Sequence, residues 1–84
     1  MTDPREEDDE ELRRQLTAAA WYLDRAVATE DAGARDRDVQ QARGIHDRLG
    51  AIIARRSVND ARLRSWKEAV AVLKSRLEGF GEQF

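Results

Sequence analysis

The stretch Ala42-Arg43-Gly44-Ile45-His46-Asp47-Arg48-Leu49-Gly50-Ala51-Ile52-Ile53, with its continuation from Leu63 to Phe80, decides the fold class. Apolar residues recur in it at alternating spacings of three and four: Ala42, Ile45, Leu49 and Ile52, then Leu63, Trp66, Val70, Leu73, Leu77 and Phe80. Arg56 and Asn59 occupy the two slots where the series lapses. This is the seven-residue repeat of helices packed side by side, and it predicts an all-α protein.

Working outward, Ser57-Val58-Asn59-Asp60 is a run of poor helix formers. With Asn59 as an N-cap, Val58 and Leu63 fall at the positions of a hydrophobic staple. The expectation is a break between Arg55 and Asp60, with a second helix before it and a third from about Asp60 to Glu78, ended by Gly79 and Gly81. The alternative keeps residues 36 to 79 as one helix, because the phase survives the gap; the chain would then be a helical hairpin whose long helix dimerises as a coiled coil.

Towards the amino end, Asp3-Pro4-Arg5-Glu6 reads as a helix start: an acid as cap, proline at the first helical position, and a glutamate at capping-box spacing. Leu12, Leu16, Ala19, Leu23 and Ala26 then share one face at about 100° per residue. This first helix is expected to end near Thr29 to Ala32, with Gly33 as a left-handed cap. The second is expected to begin between Ala34 and Asp38, capped by Asp36 or Asp38. Segments of similar length favour an antiparallel three-helix bundle. It forms a single domain over residues 1–84, with tails at 1–5 and 79–84. Its most buried large residues should be Leu23, Leu49, Trp66, Val70 and Leu73.

Composition narrows the functional classes. A domain of 84 residues buries only about 60% of the surface its unfolded chain exposes. Without cysteine and with a single histidine, it has neither disulfide nor thiolate support, nor a multi-histidine metal cluster. No metal and no cofactor are expected. The acidic start, Glu6 to Glu11, is the opposite of a secretory signal, and no stretch approaches the roughly 20 apolar residues of a membrane span; a soluble, cytoplasmic protein without a membrane partner is expected.

The net charge of −2 hides a split. Residues 1–34 carry ten acidic and four basic side chains, and residues 35–76 carry eleven basic and five acidic ones. A first helix lying against basic later ones accounts for this, so nucleic acid is not expected as a strong partner. A weak nucleic-acid binder using Arg55, Arg56, Arg62 and Arg64 is the remaining alternative on charge.

Two places carry functional signals. Trp21 lies roughly opposite the apolar face of the first helix, among Arg14, Ala18, Arg25 and Ala28. An exposed tryptophan ringed by small and basic residues is a candidate contact anchor; the alternative is that it packs on arginine stems, or against a third layer within the domain. The anchor reading makes Trp21, Arg14, Ala18 and Arg25 the expected interface, with another protein or a second copy of the chain as partner. The other place is Ala42-Arg43-Gly44-Ile45-His46-Asp47-Arg48-Leu49-Gly50. It resembles the phosphoacceptor helix of one class of bacterial sensor histidine kinases, which carries Ala-Arg-x-Leu-His-Asp-x-Leu-Gly. The resemblance covers nine residues and implies a phosphoacceptor role for His46, with Asp47 assisting proton removal. Imidazole titrates near neutrality and becomes a competent nucleophile when its partner nitrogen is oriented. The leading expectation is a small, non-enzymatic helical interaction module, a regulator or adaptor. A phosphotransfer domain using His46 is the alternative.

Overall fold

The computed structural model describes residues 4–55 and 61–84, which form three helices: α1 (Pro4–Ala28), α2 (Ala32–Ala54) and α3 (Ala61–Gly79). They run up, down and up. Asp9 near the start of α1 bonds Arg62 near the start of α3, and Asp24 near the end of α1 bonds Arg76 near the end of α3. α1 and α3 are therefore parallel, with α2 antiparallel to both.

Pro4 opens α1, where its missing N–H costs nothing; the expected Asp3 cap lies outside the described residues. Only Thr29, Glu30 and Asp31 separate α1 from α2. Asp31 caps α2, its Oδ1 accepting from the Gly33 amide at 2.9 Å and the Ala34 amide at 3.4 Å. The Thr29 hydroxyl accepts in turn from the Asp31 amide, and the Arg35 guanidinium donates to the Thr29 carbonyl.

This corrects the expectation for the first turn. Gly33 is not a left-handed cap but lies in the first turn of α2, and neither Asp36 nor Asp38 is the N-cap. The carboxylate of Asp31 satisfies two free amides, which outweighs the roughly 1 kcal/mol that a helical glycine costs. Asp38 is instead buried and ion-paired to Arg25, with 3.6 Å between Oδ2 and Nε.

α2 ends at Ala54, with the Arg55 amide reaching back to the carbonyls of Ile52 and Ile53. α3 starts at Ala61, so the long-helix hairpin is excluded and the break falls where the sequence places it. Arg56, the Asn59 cap and the Val58 arm of the staple lie outside the described residues. α3 closes on Gly81 at φ 94°: the Gly81 amide donates to Glu78 and the Glu82 amide to Leu77. This is a Schellman turn, which requires the left-handed conformation that glycine adopts without strain.

The core runs through Leu12, Leu23, Leu49 and Leu77, all fully buried, with Ala19, Ala26 and Ala42 fully buried among them. Each fully buried leucine contributes about 1.5–3 kcal/mol over its exposed state. Leu23, Leu49 and Leu73 are buried as expected, but Trp66 and Val70 are only half-buried. The reason for Trp66 is polar: its indole Nε1 donates to Asp9 Oδ1 at 3.1 Å, which holds the ring at the rim between α1 and α3. Leu12 and Leu77 take the central positions instead.

Residues 79–84 do not hang free as a tail. Beyond the Schellman turn they fold back on α2, with Gln40 Nε2 donating to Glu82 Oε1 at 3.0 Å and Arg43 Nη1 to the Gln83 carbonyl at 2.9 Å.

Candidate functional site

Two sites follow from the helix geometry. The first is the outer face of α1. Because Leu12, Ala19, Leu23 and Ala26 turn one side of that helix into the core, residues half a turn away must face outwards. Trp21 is among them and keeps 52% of its surface exposed.

Its ring stands edge-on to Tyr22, with centroids 5.1 Å apart and planes at 72°. The Arg25 guanidinium lies 4.7 Å over its face while also pairing with Asp38. That cation–π contact and ion pair fix the ring's position. Ahead of the tryptophan, Arg14 pairs with Glu11 at 2.9 Å, and Gln15 donates to the same carboxylate at 2.8 Å.

Trp21, Tyr22 and Arg14 contribute to the wall of an open groove of about 740 Å³. The expected interface residues Trp21, Arg14 and Ala18 line it, whereas Arg25 does not line it and only stacks over the indole. Tyr22, Thr17, Arg13 and Glu10 also line it and were missed from sequence. Counting three and four residues back from Trp21 finds Thr17 and Ala18, and the same count from Thr17 finds Arg13. Tyr22 follows Ala18 by four residues, so the same count taken forward finds it as well. The groove is apolar in its middle and carries paired charges at its margins, which suits a protein surface better than a small ligand.

The second site is on α2. His46 Nδ1 lies 3.0 Å from Asp47 Oδ1, and Arg43 Nε lies 3.4 Å from the same oxygen. The hydrogen bond from His46 is the main cause that holds the Asp47 carboxyl below its ordinary value; desolvation opposes it, and the charge and hydrogen bond of Arg43 add to the lowering. Facing an ionised carboxylate, Nδ1 is the donor in this pair. Every fully buried side-chain nitrogen and oxygen among the described residues has a hydrogen-bond partner.

The imidazole is nevertheless mostly covered, with 14% of the side chain exposed. Phe84 packs edge-to-face on it, centroids 4.7 Å apart, and is itself flanked by the Arg43 guanidinium at 3.9 Å and the Lys74 ammonium at 5.4 Å. Sequence reasoning missed Phe84, which is far from His46 along the chain and arrives only through the turn at Gly81.

Elsewhere the surface is less organised. Gly44, Ala51 and Ala54 form an exposed strip of small residues on α2. Of the basic candidates, Arg55, Arg62 and Arg64 are exposed, Arg62 is bonded to Asp9 at 2.8 Å, and Arg56 lies outside the described residues. Among the described residues no three metal-ligating side chains converge, and no helix is long and apolar enough to cross a membrane. Comparison with known proteins adds no relative: no protein-family model, no curated protein and no solved structure matches this chain.

Proposed function

We propose that this chain is a small, non-enzymatic protein–protein interaction module, a regulator or adaptor that works through the outer face of α1. The observation that carries the reading is Trp21, half-exposed on the side of α1 away from the core and held in place by Arg25 and Tyr22. Burying a large aromatic ring that is already ordered gains apolar area at little entropic cost, which is why such residues dominate binding energetics. The arginine stems beside it cover further apolar surface while their charged ends stay in water.

The test is photo-crosslinking in the cell from a benzoylphenylalanine placed at Thr17, inside the groove, with Val72 on exposed α3 as the control position. An adduct heavier than the chain should form from position 17 and disappear with Trp21→Ser. An absence of adducts at position 17 beyond those at position 72 would overturn the reading.

A second reading has its own observation. The Nδ1 contact to Asp47 supports a phosphoacceptor reading in which Nε2 of His46 would be the nucleophile. Nε2 would attack the phosphorus of a phosphorylated donor, such as ATP held by a partner kinase domain. The P–O bond to the leaving group would break as the N–P bond forms, with Asp47 stabilising the Nδ1 proton. Phe84 would have to swing off the ring to admit the donor, and this places the reading second. An acid-labile phosphate that is lost in a folded His46→Gln variant supports it. No label from a phosphorylated donor protein or a kinase with ATP counts against it.

A further inference from the structure

We propose that the partner of the α1 face is a second copy of this chain, docked with its own α1 antiparallel about a twofold axis near Ala18. The inference rests on the interaction-module reading above and names its partner.

The order of residues along the outer side of α1 carries the argument: Arg14, Trp21 and Arg25 are exposed, and Glu11 and Ala18 are half-buried. Glu11, Arg14, Ala18, Trp21 and Arg25 follow one another at spacings of three and four, the spacing of a packing seam. The acid comes first, a base last, and the smallest side chain in the middle. A twofold axis at Ala18 sets each position against the one equally far beyond the axis on the other copy. Glu11 then falls opposite the second copy's Arg25, Arg14 opposite Tyr22, and Gln15 opposite Trp21. Each contact is made twice, as an isologous interface requires.

A parallel pairing fails the same inspection, because Glu11, Arg14 and Arg25 would each face their own like charge. At the axis Ala18 offers no bulk, so the two backbones can approach to about 8–10 Å. The two tryptophans would then pack on opposite sides of the crossing.

Charge also argues against a foreign polyanion or polycation. Arg14 is already balanced by Glu11 and Arg25 by Asp38 within the chain. Both arginines keep more than half of their side-chain surface exposed, so they can exchange these partners for the acid of a second copy. The seam from Glu11 to Arg25 spans about 21 Å of helix. This is shorter than the contact in a standard-sized interface, so the dimer should be weak, with a dissociation constant of about 10–100 µM.

The purified chain tests this by sedimentation equilibrium up to about 300 µM, well above that range. The expected species is twice the chain mass of 9.6 kDa. Trp21→Ser and Glu11→Arg should each weaken association at least about tenfold without loss of helicity. Orientation is read separately, because the chain has no cysteine of its own. Glu11→Cys mixed with Arg25→Cys should give the mixed disulfide in at least about tenfold excess over either homodisulfide, since only cross-axis pairs come within bonding distance. A monomer at every concentration overturns the proposal. So does association indifferent to both single variants, or a preference for homodisulfides. A monomeric chain that still crosslinks from position 17 to a different protein removes the homodimer and leaves the interaction module standing; no adduct at all removes both.

Discussion

Leu77 and Val70 lie on the same face of α3, two turns apart, and a heptad reading alone gives Val70 the more central place. The structure reverses that order: Leu77 is fully buried, and Val70 is half-buried beside the core. Leu77→Ala removes three carbon atoms from a closed site. At about 0.8 kcal/mol per buried carbon the transfer loss is about 2.4 kcal/mol, and the unfilled cavity adds to it, for about 3 kcal/mol within the usual range of 2–5. Val70→Ala removes two carbons from a half-open site that water and neighbours can refill, for about 1 kcal/mol. In a domain of this size those costs lower the melting temperature by about 12–24 °C and 4–8 °C respectively. Urea unfolding followed by circular dichroism at constant m-value measures both. Equal costs, or a larger one at Val70, would refute the placement of the core at the Leu12–Leu23–Leu49–Leu77 line.

Three further outcomes are expected. Asp9→Asn should cost about 1–2 kcal/mol in chemical unfolding, because that carboxylate serves both Arg62 and Trp66 across the α1–α3 seam; an unchanged midpoint would show the seam to be held without it. Gly81→Ala should destabilise by about 1 kcal/mol, since φ 94° strains any side chain. Gly79→Ala, helical and with open space around its Cβ position, should instead stabilise by up to about 1 kcal/mol; thermal melts of the two variants should therefore move in opposite directions. For Asp47 the folded carboxyl titrates below its unfolded value near 3.9. Its contribution to stability is thus fully present above that value and is lost as pH falls through the lower folded one. His46→Gln should raise the Asp47 titration midpoint seen by NMR, and an unmoved midpoint would mean that the hydrogen bond is not its cause.

The all-α class, the break after Arg55 and the outward position of Trp21 were legible in the residues themselves. All three depend on periodicity and local propensity, which act over a turn or two of chain. Apolar residues three and four apart must share a helix face whatever the helix packs against, and Trp21 is off that face by simple rotation. The same locality let Asp31 go unnoticed as the cap of α2, because a carboxylate and a glycine competed for one short linker. Their balance depends on where α1 can end while still reaching its neighbour.

Depth within the core was decided only by the tertiary structure. Trp66 and Leu77 follow the same repeat, but Trp66 stays at the rim because its indole N–H finds Asp9 on another helix. The cover over His46 is of the same kind: Phe84 lies almost forty residues further along the chain and reaches the imidazole only because Gly81 turns the backbone onto α2. Spacing in a sequence fixes which side of a helix a residue occupies. Which residues then meet across helices depends on bundle geometry and on long-range polar contacts such as Asp9–Trp66 and Arg43–Gln83, which no local pattern records.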